Sequence, residues 1–151
     1  MFSIQSTEIR DVTVGDLMIS SEKVAHVQTQ NPLEHALLVL VKTGYSAVPV
    51  LNAQSHFKGI VSKTMIIDSI LGIERFEVEK LSQSTVQEVM DSEVPTLHRD
   101  DGFMKALKLA INHPFICVVD ENGYFDGILT RRAILKKLNR HLHENNQSNA
   151  T

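Results

Sequence analysis

Tryptophan is absent from the 151 residues and tyrosine occurs twice, so there is no interleaved aromatic platform on which nucleic-acid bases could stack. One cysteine, Cys117, excludes an intramolecular disulfide and fits a reducing compartment. No apolar run approaches the roughly 20 residues of a membrane span. The start, Met1-Phe2-Ser3-Ile4-Gln5, lacks the basic and apolar regions of a secretory signal, so a cytoplasmic protein is expected. Net charge is -3, and lysine and arginine are dispersed until the last helix, which argues against an extended nucleic-acid surface. A Gly-rich phosphate loop, a nucleophile elbow and zinc-ligand spacing are all missing. Nothing therefore supports catalysis, and neither a metal nor a cofactor is expected.

What is there reads as one pattern written twice. After a polar leader (1–12), a short helix at Val14-Gly15-Asp16-Leu17-Met18 is expected with Thr13 as its cap, then a strand at Val24-Ala25-His26-Val27. Asn31-Pro32-Leu33-Glu34 combines an N-cap, proline at the first helical position and a glutamate in the first turn. The helix it starts has Ala36, Leu37, Leu40 and Val41 as its buried stripe and ends at Gly44. Strands follow at Ala47–Leu51, where Pro49 implies an edge or an irregularity, and at Phe57–Val61. Ser62 should cap a helix running to about Leu71. Residues 73–84 read as a connector with a short helix.

The pattern then returns over 85–142: an opening helix at Val86–Met90, a strand at Val94–Leu97, and a helix starting at Asp100-Asp101-Gly102-Phe103 with Met104, Leu107, Ala110 and Ile111 on its apolar side. Strands at Ile116–Val119 and Phe125–Leu129 flank an Asp120–Gly123 turn, and a last helix spans 131–142 before a polar tail (143–151). Met90 lies 72 positions after Met18, Ala106 70 after Ala36 and Gly127 68 after Gly59. Two small deletions account for the drift, so the copies (13–72 and 85–142) share one register end to end. Each copy alone has too few strands for a self-sufficient sheet, which leads to a mixed α/β (α+β) fold of two halves paired about a pseudo-twofold axis, with a ligand cleft between them.

The most informative stretch is Gly127-Ile128-Leu129-Thr130-Arg131-Arg132-Ala133. Thr130 should cap the last helix, which places Arg131 and Arg132 where the helix dipole disfavours cations. A phosphate would compensate them, taking charge-assisted bonds from the guanidiniums and N–H bonds from the helix end. The alternative is a pair of solvated arginines near Asp126.

These residues resemble tandem CBS domains, the Bateman module, over about Val14 to Leu138. The resemblance rests on the helices ending in Met18 and Met90, on Val48-Pro49-Val50-Leu51 and Cys117-Val118-Val119-Asp120, and on the pair Gly59-Ile60-Val61-Ser62 and Gly127-Ile128-Leu129-Thr130. It implies binding of adenine nucleotides or related ligands between the repeats. One pocket would join Lys23, Val24, Ala25, Tyr45, Ser46 and Ala47 to Thr130, Arg131 and Arg132. A weaker second would join Val94, Phe115, Ile116 and Cys117 to Ser62, Lys63 and Thr64, because a single lysine grips phosphate less well than two forked guanidiniums.

Many nucleotide-binding members of that family carry an Asp six positions after the glycine, facing the ribose hydroxyls. Here those positions are Met65 and Ala133. A carboxylate suits the free ribose of AMP, ADP or ATP, whereas a 3′,5′-linked dinucleotide would set phosphate against it. The whole chain is similar to the small stand-alone CBS-pair proteins of Gram-positive bacteria that bind cyclic di-AMP, the DarB type. That likeness implies a homodimeric, non-catalytic receptor whose partners are a Rel-type alarmone synthetase/hydrolase and pyruvate carboxylase, released when the dinucleotide binds. The alternatives are a sensor of AMP, ADP or ATP, and a ligand-free interaction module.

Other residues have plainer readings. Tyr45 could stack on adenine or fill the core beside Phe57. Cys117 reads as a small buried residue, and His141 with His143 lacks the ligands that would complete a metal site.

Overall fold

The computed structural model describes residues 9–150; residues 1–8 of the leader and Thr151 of the tail lie outside the described residues. The elements in chain order are α1 (Val14–Leu17), β1 (Ile19–Ser20), a 3-10 turn (Ser21–Lys23), β2 (Val27–Gln28), α2 (Leu33–Thr43), β3 (Ala47–Leu51), β4 (Phe57–Ser62) and α3 (Lys63–Ile70). They continue with α4 (Lys80–Gln83), a 3-10 turn (Val86–Glu88), β5 (Thr96–Leu97), α5 (Phe103–Ala110), β6 (Phe115–Val119), β7 (Phe125–Thr130) and α6 (Arg131–Ala150).

Two compact units form, and each gathers segments of both copies. The first holds 9–24, 95–122 and 126–150 of the described residues; the second holds 25–94 with 123–125. The opening segment of each copy thus folds with the body of the other, and the bonds that hold it correspond pair by pair. In the first unit the amide of Val14 donates to Asp101 O, that of Gly15 to Arg99 O and that of Phe103 to Val12 O. In the second, Val86 donates to Asn31 O, Gln87 to Thr29 O and Leu33 to Ser84 O. Backbone groups leaving a helix end need partners, and the other copy's turn supplies them.

In the first unit the sheet order is β1-β7-β6-β5. β1 runs antiparallel to β7, with Ser20 opposite Gly127, and β5 parallel to β6. Its core is Val14, Leu97, Phe103, Ala106, Ala110, Ile116, Val118, Leu129 and Ile134. In the second unit the order is β2-β3-β4, with Val27, Leu33, Ala36, Leu40, Val48, Val50, Val61, Ile66 and Val86 buried against α2 and α3. Residues 33, 36 and 40 and their counterparts 103, 106 and 110 carry the same helical spacing to the same depth.

Several sequence expectations need correction. The apolar stripes are rotated: Val41, Met104 and Ile111 are 62%, 58% and 72% exposed, because Leu33 and Phe103 at the helix starts take the buried face. The strand expected at 24–27 begins only at Val27, where it meets Val50 on β3. Asn31 turns its Oδ1 back to the Gln28 amide at 2.8 Å instead of capping α2. Pro49 sits in a middle strand, not at an edge, opposite Ile60, and the other expectation, an irregularity, lies beside it, where the β3–β4 register shifts between Val50 and Leu51. Its missing N–H costs no ladder bond, since β2 pairs with β3 only at Val50 and Leu51. The second copy's short strand is confined to Thr96–Leu97. The last helix runs past 142 to Ala150, since adding residues to an existing helix costs far less than starting one.

Candidate functional site

In the first unit, β7 delivers its last residue, Thr130, to the start of α6. The Thr130 hydroxyl accepts from the Ala133 amide at 3.1 Å, so the N-cap is formed as the sequence requires. The Arg131 amide donates to Pro114 O at 2.8 Å. Arg131 is half-buried, and its guanidinium turns back on the end of α5: Nε donates to Ala110 O at 2.7 Å, and Nη2 lies 3.5 Å from Ile111 O. Arg132 is exposed, and its guanidinium makes no hydrogen bond or ion pair with the described residues. Asp126 is not the arginines' counter-ion; its Oδ2 lies 3.2 Å from Arg99 Nε. The two cations therefore differ: the carbonyl end of α5 offsets the adverse placement of Arg131, and nothing described offsets that of Arg132.

The same unit holds Lys23, exposed at the end of the 3-10 turn, and half-buried Val24, whose amide donates to Ser21 O. Phe115 is half-buried on β6, next to Pro114. Ile116 and Cys117 are 1% and 2% exposed, so their side chains are closed to solvent. Burial pushes the Cys117 thiol up to about 12. The folded thiol therefore stays neutral where an unfolded one ionises: stability is unaffected below about pH 8.5 and falls as pH rises from there towards 12. Cys117 is expected to resist a thiol-specific reagent at pH 8 in the native protein and to react fully in denaturant. Rapid native labelling would contradict its placement.

In the second unit, Ser62 caps α3 by accepting from the Met65 amide at 3.0 Å, and Lys63 N–H donates to Ser46 O. Ala47 stands opposite Ser62, so Tyr45, Ser46 and Ala47 lie beside Ser62, Lys63 and Thr64. Tyr45 is 49% exposed, and its amide donates to the Thr43 hydroxyl at 3.3 Å. It is not core filling. Phe57 stacks on Phe125 instead, with ring centroids 6.4 Å apart. Ala25 and Val94 are half-buried. Met65 and Ala133 are the third residues of α3 and α6, where each donates its amide to its helix's capping hydroxyl. A surface depression of about 640 Å³, lined by Leu71, Gly72, Ile73, Glu74, Arg75 and Glu77, involves none of these residues. No group of three or more His, Cys, Asp or Glu able to hold a metal occurs among the described residues, and none of their helices is long and apolar enough to cross a membrane.

The CBS domain pattern matches residues 14–72 and again 86–140. This chain belongs to the CBS-domain family. The two CBS repeats are 50% identical over 147 residues to Cyclic di-AMP receptor B of Bacillus subtilis (strain 168), spanning 97% of this chain and 100% of that protein. Two solved structures are also similar. A CBS domain-containing protein of unknown function from Bacillus anthracis is 58% identical, with a TM-score of 0.85 over 89% of this chain and 98% of that one. The CbpB protein of Listeria monocytogenes in complex with c-di-AMP is 48% identical, with a TM-score of 0.80 over 86% and 97%. The chain spans nearly the whole length of each of these three relatives.

Proposed function

We propose that this chain is a cytoplasmic, non-catalytic receptor for cyclic di-AMP that regulates partner enzymes according to whether it holds the ligand. The observation that carries the reading is the turn at Thr130: a capped helix start bearing an exposed guanidinium, Arg132, with no described partner, in a chain half identical to a protein named for that dinucleotide. A helix N-terminus and a forked cation suit a phosphodiester. Lys23 adds a second charge. Val24, Ala25, Ser46 and Ala47 supply small surfaces for a base, and exposed Tyr45 supplies a ring. Met65 and Ala133 place no carboxylate at either helix start, which favours a ligand whose 3′ oxygens are esterified.

The weaker site of Ser62, Lys63, Thr64, Val94, Phe115, Ile116 and Cys117 would depend on backbone groups at Ile116 and Cys117, because their side chains are buried. The receptor would act as a homodimer on a Rel-type alarmone synthetase/hydrolase and pyruvate carboxylase. For the ligand to release a partner it must bind the free form better than the occupied one, since equal affinity shifts nothing.

Thermal melting with cyclic di-AMP, AMP, ATP and S-adenosylmethionine tests the reading. At 100 times its Kd a ligand stabilises by about 2.7 kcal/mol, which in a chain of this size raises the Tm by about 5 to 10 °C. Cyclic di-AMP should give that shift and the other three much less. An equal or larger shift with AMP or ATP would replace the dinucleotide with a mononucleotide. No shift with any of them would leave a ligand-free interaction module.

A further inference from the structure

We infer that Thr43 is a positioning residue for the ligand: its hydroxyl sets the backbone of Tyr45, and so where the exposed Tyr45 ring is held. Thr43 is the last residue of α2. A threonine in a helix can turn its hydroxyl back to the carbonyl four residues earlier, and Thr43 does so, donating to Val39 O at 2.7 Å. A hydroxyl has one proton to give and keeps lone pairs with which to accept. The Tyr45 amide donates to that same oxygen at 3.3 Å. The Val39 carbonyl, the Thr43 hydroxyl and the Tyr45 amide thus form one short chain of bonds, in which each polarises the next.

Between those two residues the chain turns at Gly44, φ 76°, whose amide donates to Leu40 O at 3.0 Å. A Cβ there would meet nothing within 4 Å, so the glycine serves the backbone conformation and not the space around it. After Tyr45, the Ser46 carbonyl accepts from the Lys63 amide at 3.0 Å, and Ala47 pairs with Ser62 in the β3–β4 ladder. Tyr45 is therefore held on both sides, by a side chain before it and by the sheet after it, while 49% of its surface stays open. A ring on an unanchored loop would lose the freedom of the whole loop when a base stacks on it. A ring on a fixed backbone has only its own rotamers to lose.

The second repeat carries no such arrangement. Pro114 is the counterpart of Ser46: it lies 68 positions on, as Gly127 does from Gly59, and its carbonyl likewise accepts from the first amide of the following helix. The residues before it are Ile111-Asn112-His113, with no glycine and no hydroxyl, and His113 stands where Tyr45 does. The anchored ring is therefore built into one copy only. The anchoring stands on the ligand-free geometry; its consequence for affinity rests on the cyclic di-AMP reading proposed above.

Thr43→Val keeps the branched shape and removes the hydroxyl, whereas Thr43→Ser keeps the hydroxyl. Thr43 is exposed, so neither change disturbs the core. In the ligand-free protein the Tyr45 amide should exchange with water at least about fivefold faster in Thr43→Val than in wild type or Thr43→Ser, while that of Ile60, bonded elsewhere to Asp91 O, keeps its rate. Calorimetry with cyclic di-AMP should show binding about three- to tenfold weaker in Thr43→Val, as for one net hydrogen bond lost, and within about twofold of wild type in Thr43→Ser. Because Thr43 acts through Tyr45, adding Thr43→Val to Tyr45→Ala should weaken binding by less than about a further twofold. Equal exchange in all three proteins would overturn the inference. So would wild-type affinity in Thr43→Val, a Thr43→Ser variant as weak as Thr43→Val, or an undiminished loss in the Tyr45→Ala background. Should the wild-type chain not bind the dinucleotide at all, the functional reading fails, and the exchange rates still decide whether Thr43 holds Tyr45.

Discussion

Gly127→Ala should destabilise the protein by about 2 to 5 kcal/mol, enough to leave a marginal domain largely unfolded at 37 °C. Gly127 pairs with Ser20 of the exchanged opening segment, at φ 154°. A Cβ built there falls directly on the carbonyl oxygen of Ile19, with Met18 Cε at 2.8 Å and Ile19 C at 3.1 Å. The Met18 side chain can turn away. The Ile19 backbone cannot, because it is held in the β1–β7 ladder. The strand must therefore part from its partner, and the helix start at Thr130 lies three residues downstream. The first repeat repeats the arrangement: a Cβ at Gly59 would strike the Asp91 carbonyl, and Ile60 exchanges both backbone bonds with Asp91. Gly102→Ser is the control, since nothing lies within 4 Å of a Cβ there and serine is a good N-cap; it should change stability by less than about 1 kcal/mol. Urea unfolding of the variants measures the difference. A Gly127→Ala protein with the wild-type midpoint would contradict the close approach.

Arg132→Ala should weaken cyclic di-AMP binding by about 2 kcal/mol or more, at least about 30-fold, while leaving the Tm of the ligand-free chain within about 1 °C of wild type. The two halves of that statement follow from one fact: the guanidinium is exposed and touches no described acceptor. Removing it breaks nothing in the free protein and relieves an unfavourable placement at a helix N-terminus. In the complex, the phosphodiester loses its forked donor. The deficit should shrink as ionic strength rises, because a partly exposed ion pair is screened. Arg132→Lys should recover part of the affinity, since a point charge keeps the attraction and loses the bidentate geometry. Calorimetry at two salt concentrations checks both trends. A variant that binds as tightly as wild type at low salt would remove Arg132 from the site.

Much of this was legible in the sequence because the chain states it twice. The caps at Ser62 and Thr130, the αL glycine at 44 and the Asp120 turn follow from local chemistry, and each formed. The exchange of opening segments could not be read. Duplicated patterns do not say which copy a helix packs against, and Val14 and Val86 would satisfy either. Val41 and Ile111 misled for a related reason: near a helix end, two residues at similar angles compete for one buried face, and packing chooses. Arg131 and Arg132 are adjacent in sequence, and only the fold shows that the first bonds to Ala110 O while the second stands exposed.

The most direct measurement is a calorimetric titration of the wild-type chain with cyclic di-AMP, with AMP and ATP in parallel. A saturating isotherm for the dinucleotide, at least about 100-fold tighter than for either mononucleotide, is the predicted result. No heat from cyclic di-AMP, or AMP or ATP binding as tightly, would contradict the assignment of a phosphodiester to the Thr130–Arg132 turn.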